Sequence, residues 1–543
     1  RAARGARWRL GRRALGGRRH PVPDLSGALA ACMASSSSSS TRYGAASEQT
    51  SRRGGSSLAV LASSYKSSPP LAGPADGTAP FVAEFLGTFV LVFTIGCLAL
   101  APGSPTWTPV AIGCVMMSAT YATYPISGGN LNPAVSFSAG LVGHLRWTVV
   151  VRYWMCQLAA GTVASFCLRA LFAPDRLPGV APVPPFTWEY AVAAEVIYTF
   201  LLCFVWNNCA ASKRNNPKDD NNHFYALAIG CVELAGGFAV SRISGAAFNP
   251  AVAVGFSYGN NFRWAFAWLV AELVGATLAA INFRAVRPEE YNPPEGLYLT
   301  DYEPKLHVRC ASEFLGTFVL VLTVGLNLTM GLRAASFSSA AALMCMTYSL
   351  GNVSGAHFNP AVTLAVVLSG RDKCLPADGA AYVICQVMSG ACAGVLYSQF
   401  HAAGPSTGLT FALQPGDGYG PNSAGVVEMF FTFVLAYAFL ACATVGAPGS
   451  WRTTQRFYTA LAIGSCVTAG GFAVGRISGG ELNPAVSVGV ASANLAHWGR
   501  RPPPPFASCI VYSLWQLTGG LLASVVFSLT HPDEYKKEPL LAK

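Results

Sequence analysis

The chain has 543 residues, of which 52% are hydrophobic and 11% charged. That balance excludes an ordinary soluble globular protein, in which charged residues make up about 25%. The net charge of +11 does not imply a nucleic-acid partner: eight arginines against the single acid Asp24 stand in residues 1–32, and the rest of the chain carries only +4.

The chain starts at Arg1, and its first methionine is Met33, followed closely by a serine run. Residues 1–32 read either as upstream sequence that is not native or as a fragment of an arginine-rich targeting peptide, the first being favoured. Residues 1–77 as a whole are rich in Ser, Gly and Ala without periodicity, and are expected to be a disordered extension.

From residue 78 the pattern changes. Apolar runs of about 18 residues or more, long enough to cross a bilayer as helices, are predicted near 79–101, 107–125, 147–172, 187–209, 224–241 and 262–283. A polar, proline-rich linker follows. Six more spans are predicted near 308–330, 334–352, 377–401, 423–445, 457–475 and 504–530. The two sets are copies. AEFLGTFVLVFTIG from Ala83 returns as SEFLGTFVLVLTVG from Ser312, and ALAIGCVELAGGFAVSRISGAAFNPAV from Ala226 returns as ALAIGSCVTAGGFAVGRISGGELNPAV from Ala460. The expected organisation is a first unit at 78–285, a cytoplasmic linker at 286–307, a second unit at 308–531 and a cytoplasmic tail at 532–543.

Basic residues set the orientation. Lys213, Arg214, Lys218, Arg284, Arg287, Arg452, Arg456, Lys536 and Lys537 fall on one side of such a twelve-span chain, predicting that this side and both termini are cytoplasmic. Arg500 and Arg501 break the pattern. Within each unit a weaker repeat pairs Glu84 with Thr88, Glu195 with Thr199, Glu313 with Thr317 and Glu428 with Thr432. Two three-span halves in opposite orientation make an inverted repeat.

Asn-Pro-Ala occurs four times: Asn132-Pro133-Ala134, Asn249-Pro250-Ala251, Asn359-Pro360-Ala361 and Asn483-Pro484-Ala485. Each follows a Ser-Gly pair, after the second or fifth span of its unit. Asn is a good helix N-cap and Pro suits the first helical position, so each motif starts a short helix that cannot span the bilayer. Such broken backbone is tolerated where it is buried or lines a cavity. Two half-helices entering from opposite faces would aim their positive N-terminal ends at one place. Those dipole ends oppose cations and protons, and the asparagines keep donors for a passing water or alcohol oxygen.

These motifs, the Glu-xxx-Thr spans and strings such as ISGGNLNPAV and VSGAHFNPAVT resemble the aquaporin (major intrinsic protein) family over about 450 residues. The resemblance implies an all-α membrane protein of two aquaporin-like units, each with six transmembrane helices in a right-handed bundle and two re-entrant half-helices. It implies a pore in each unit and a tetramer of units, which two tandem chains would complete. It also implies that Glu84, Glu195, Glu313 and Glu428 are structural braces for the half-helix loops, although an intramembrane acid is by default a functional candidate.

The pattern departs at the narrowest filter. Where the resemblance implies an arginine after the second Asn-Pro-Ala of a unit, Val252 and Val486 stand. The remaining filter positions map to Ile112, Gly237 and Ala246 in the first unit and to Ser339, Gly471 and Gly480 in the second. The bulky aromatic and the histidine implied for water-selective members are missing, as is the aspartate implied for glycerol conductors, where Ala253 and Ser487 stand. Wider filters are expected, passing water and larger neutral solutes such as urea, ammonia, hydrogen peroxide or small polyols. The other reading is that a neighbour refills the space, with Arg242 and Arg476 as candidates.

Other features carry less. The 16 cysteines sit mostly in apolar runs, with no CxxC pair of metal spacing. Neither a nucleophile–base constellation nor a phosphate loop stands out, so no enzyme, metal or cofactor is expected. Glu233 and Glu481 are unexpected acids, and Glu481 would either attract cations in a vestibule or point to solvent. The loop at 213–223 reads as a solvated cytoplasmic loop, and Asn327-Leu328-Thr329 is a glycosylation sequon at a span's outer end. A secondary transporter and a structural membrane protein with closed pores are the rival readings.

Overall fold

A backbone in an apolar medium must satisfy its own N–H and C=O groups, and the helix does this within one segment. The computed structural model accordingly places the predicted runs in helices, with no strand among the described residues. It describes residues 77–100, 105–172, 179–217, 220–258, 262–293, 298–331, 335–405, 413–446, 452–496 and 506–536. The extension before residue 77, Lys218, Arg500, Arg501 and Lys537 lie outside these ranges. All described residues belong to the unit Ser68–Lys543.

The first half of this unit contains α1 (Ala79–Leu100), α2 (Thr108–Ser127), the short α3 (Pro133–Leu141), α4 (Trp147–Leu171), α5 (Trp188–Trp206), α6 (Tyr225–Ser244), the short α7 (Pro250–Ser257) and α8 (Phe262–Val286). The second half repeats them as α9 (Leu306–Met330), α10 (Ala335–Leu350), the short α11 (Pro360–Leu368), α12 (Pro376–Ala403), α13 (Pro421–Ala443), α14 (Arg452–Val474), the short α15 (Pro484–Ala496) and α16 (Ala507–Thr530). Ten of the twelve long helices are long and apolar enough to cross a membrane, α2 and α10 being the other two. Left-handed glycines, Gly128 and Gly245, cap α2 and α6 and turn the chain into the loops before the half-helices.

Small residues draw the helices together, as they do where lipid supplies no hydrophobic drive between helices. A Cβ on Gly113 would lie 2.8 Å from the Gly230 carbonyl oxygen, and one on Gly230 2.7 Å from that of Gly113. Gly161 and Gly390 let α4 and α12 rest on the Ala251 and Ala485 backbone at the start of a half-helix.

The two repeats share a seam. Helix α6 of the first packs against α9 and α10 of the second. Ser338 donates to the Ala235 carbonyl at 2.9 Å, Tyr198 shares a hydrogen bond with Thr323 at 3.0 Å, and Phe224 stacks on Tyr348. At one end the seam is polar. Arg287, fully buried, donates to Asn208 Oδ1 at 2.9 Å, the Ser349 carbonyl at 2.7 Å and Asn352 Oδ1 at 2.8 Å. Glu290 accepts from the Ser212 hydroxyl and the Lys213 and Arg214 amides, and Arg214 pairs with Glu289 at 3.2 Å.

Two expectations are corrected here. The described part of the loop at 213–223 is only partly solvated: Lys213, Asn221 and His223 are exposed, but Arg214, Asn215, Asn216 and Asn222 are buried. Asn352 donates to Asn215, and Asp220 accepts from the Thr453 amide at 3.0 Å, reaching into the second repeat. The sequon at Asn327 is not open to modification. Asn327 is buried and donates to Ser338 at 2.8 Å, because α9 faces α6 and not solvent.

Candidate functional site

Each Asn-Pro-Ala begins a half-helix by the mechanism its residues dictate. The Oδ1 atoms of Asn132, Asn249 and Asn359 accept from the amides of Ala134, Ala251 and Ala361 at 2.8 to 2.9 Å, with Pro133, Pro250 and Pro360 at the first helical position. Asn483 does the same with Ala485, ahead of Pro484, at 2.9 Å. The residue before each asparagine, Leu131, Phe248, Phe358 or Leu482, has a positive φ of 47° to 56°. A non-glycine residue held there costs about 1–3 kcal/mol, and the contacts it makes explain why it persists. The amide of each of these four residues donates to a buried glutamate. Each of their carbonyls accepts from the asparagine of the opposite half-helix. Asn132 reaches Phe248 at 2.8 Å and Asn249 reaches Leu131 at 3.0 Å; Asn359 reaches Leu482 and Asn483 reaches Phe358, both at 2.9 Å. The half-helices of each repeat are thus cross-tied, and each asparagine Nδ2 retains one N–H.

The four glutamates hold these loops. Glu84 accepts from the Ser127 hydroxyl at 2.6 Å, the amides of Asn130 and Leu131, and Gln157 at 2.7 Å. Glu313 takes the same set from Ser354, His357, Phe358 and Gln386. Glu428 takes it from Ser478, Glu481, Leu482 and Gln516. The sequence carries a signal for these glutamines: Tyr153-xxx-Gln157, Tyr382-xxx-Gln386 and Tyr512-xxx-Gln516 recur at one spacing.

Glu195 is the exception. It accepts from Ala247 at 3.1 Å and Phe248 at 2.8 Å, but Glu272 stands where a glutamine is expected, four residues after Trp268. The hydroxyl that bonds the glutamine elsewhere (Ser136, Thr363 or Ser487) is here Ala253. Glu272 is fully buried. The Asn249 amide faces it, but neither of its oxygens makes a hydrogen bond of normal geometry.

In the second repeat a cavity of about 100 Å³ brings together Ser339, Gly471, Gly480 and Val486 with both Asn359 and Asn483. His357 and Glu481 line it too, and the rest of its wall is mainly aliphatic, including Leu320, Val467 and Val490. In the first repeat Val252 is as buried as Val486, each 3% exposed, and packs with Val92, Ala247 and Trp268, while Ile112 and Ala246 are half-buried. Glu233, buried, occupies the position of Val467.

The space left by two small filter residues is partly refilled, and not by the candidate arginines. A Cβ on Gly237 would meet Pro109 Cβ at 2.8 Å, and one on Gly471 would collide with the Ser336 side chain. Arg242 and Arg476 are exposed, and Arg476 does not line the cavity. Glu481 does not point to solvent: one of its oxygens accepts from Ser487 and the other is buried. The described residues form no group of three or more potential metal ligands.

A family model described as major intrinsic protein matches residues 76–283, 191–329 and 302–527. Aquaporin NIP1-3 of Oryza sativa subsp. japonica is 32% identical over 216 residues, covering 38% of this chain and 73% of that protein. Aquaporin NIP6-1 of Arabidopsis thaliana is 30% identical over 221 residues, covering 39% of this chain and 70% of its own length. Among solved structures, an aquaglyceroporin from Plasmodium falciparum aligns with a TM-score of 0.35 at 20% identity, covering 40% of this chain and 99% of that one.

Proposed function

Because the chain belongs to the major intrinsic protein family, and so is a multi-pass integral membrane protein, we propose that it is a passive channel for water and small neutral solutes with two unlike pores. The observation that carries the reading is the second-repeat cavity, where two half-helix N-termini and both asparagines meet and Val486 stands in place of a cation. Spare Asn N–H groups offer a solute oxygen a partner, and the aliphatic wall offers it nothing to bind tightly, which suits conduction. With Val486, Ser339 and Gly480 at the filter, the second pore admits solutes of the size of urea or a small polyol. The first pore, with Ile112 where the second has Ser339, is the more apolar at its filter.

The side bearing the linker, with Lys213, Arg214, Arg284 and Arg287, is the cytoplasmic one. Two chains associate to bring four units around one axis. Burial supports this: 83% of the most apolar window of α6 is covered by the rest of the chain, against 33% for its counterpart α14. Helices α13 and α14 therefore keep an open apolar face, with Val426, Phe430, Leu461 and Phe472 exposed. Helix α1 leaves Val82, Leu86 and Val90 open, and α13–α14 of one chain would cover the α1–α2 side of another as α5–α6 cover α9–α10 within it.

Stopped-flow shrinkage and reswelling of proteoliposomes with urea, glycerol and sucrose tests the channel. Water flow above that of empty liposomes, with reswelling in urea but not sucrose, is expected. Flux that saturates at millimolar solute and requires an ion gradient would identify a transporter instead.

A further inference from the structure

The two repeats differ at a pair of positions related by the inverted repeat within each unit. Two residues before the asparagines stand Asn130 and Ala247 in the first unit, and His357 and Glu481 in the second. The second-unit pair lines the cavity. His357 is fixed: its amide donates to Glu313 at 3.0 Å, its Nδ1 shares a hydrogen bond with Thr363 at 3.1 Å, and its ring packs edge-on against Tyr382 and Phe439. Glu481 is fixed on one side only. Its amide donates to Glu428 at 3.1 Å and its Oε2 accepts from Ser487, while Oε1 is buried without a partner.

A buried carboxylate oxygen without a donor costs several kcal/mol unless something supplies one. The spare asparagine groups are donors suited to solute acceptors. Glu481 is the opposite, an acceptor in a mainly aliphatic wall. We propose that the second pore is a binding site for small protonated amines, held at Glu481; this rests on the channel reading for the route by which the amine arrives. A charge-assisted N–H···O bond to a carboxylate is roughly twice as strong as a neutral one, and the methyl group of an alkylamine suits the aliphatic wall. A bare metal cation fits poorly, because hard cations require several oxygens at once and the wall supplies few. The same ammonium–carboxylate pair forms whether the ammonium ion meets the carboxylate or a neutral amine takes the proton of the carboxylic acid.

The test uses the full chain and methylammonium chloride, with potassium chloride at equal ionic strength as control. Equilibrium dialysis of labelled methylammonium against the purified protein reads binding without any flux. Stopped-flow water permeability of proteoliposomes, with and without methylammonium, reads occupancy of the pore. The expected result is saturable binding that Glu481→Gln weakens at least ten-fold and Glu481→Asp weakens less, with size-exclusion profiles showing that both variants fold. Equal binding in wild type and Glu481→Gln, or none in wild type, overturns the site. Binding at Glu481 in proteoliposomes that pass no water would keep the site and remove the channel.

Discussion

Glu272 on α8 lies within electrostatic reach of Glu195 on α5, at the place where Gln516 donates to Glu428 at 2.9 Å in the second repeat. Two buried carboxylates repel each other, and neither Glu272 oxygen makes a hydrogen bond of normal geometry. Glu272→Gln supplies the amide found at the other three sites. It should raise stability by about 1–3 kcal/mol, read as a higher melting temperature in detergent, and Gln516→Glu should lower it by a similar amount. A lower melting temperature for Glu272→Gln would show that the acid pair holds the α7 loop better than the amide does.

The filter valines are equally buried, each 3% exposed and in an apolar cluster, but Val486 has the cavity beside it. Val486 borders the second cavity, so Val486→Arg should cut urea flux at least ten-fold while water still passes, measured by proteoliposome reswelling. Val252 packs in an apolar cluster, and overpacking such a site costs about 1–3 kcal/mol. Val252→Arg should therefore lower the yield of folded protein before it alters selectivity, which a fluorescence-detected size-exclusion profile would register.

His144, in the loop between α3 and α4, touches Trp206 edge-on, and burial pushes its pKa down to about 4. In the unfolded chain it titrates near 6.5. The folded state thus binds fewer protons, and stability falls as pH drops from about 6.5 towards 4, levelling off below that. The loss is about 3 kcal/mol at most. Melting curves across this range should show the decline, and His144→Gln should flatten it.

Arg287 carries the polar end of the seam. Burial pushes its pKa down to about 10, so it stays charged at neutral pH. Removing one partner of a buried charged cluster costs about 3–5 kcal/mol. Arg287→Ala should lower the melting temperature and speed hydrogen exchange over residues 349–352. Arg287→Lys should rescue little, since an ammonium lacks the fork that reaches Asn208, Ser349 and Asn352 together.

The sequence shows clearly what is local. An asparagine before proline is its own N-cap, and Glu-xxx-Thr in an apolar helix announces a carboxylate that needs donors; both follow from a few adjacent residues. The polar stretch at 213–223 looks solvated because its composition says nothing of Asn352 or Thr453, which lie in the other repeat. The glycines at 237 and 471 look like open space because Pro109 and Ser336 come from a different helix. Asn327 fits a sequon by spelling alone. The Tyr-xxx-Gln spacing was readable, and its break at Trp268 and Glu272 marks the one brace that departs from the others.

The seam between α6 and the α9–α10 pair has a consequence for dilution. A single unit in a sparse bilayer would have to find its neighbour by lateral diffusion, and the contact would be lost as copies became few. Here residues 287–305 tether the neighbour, so the seam forms as an intramolecular step at a high effective concentration. Each chain brings one copy of each repeat, at a ratio that expression level cannot change.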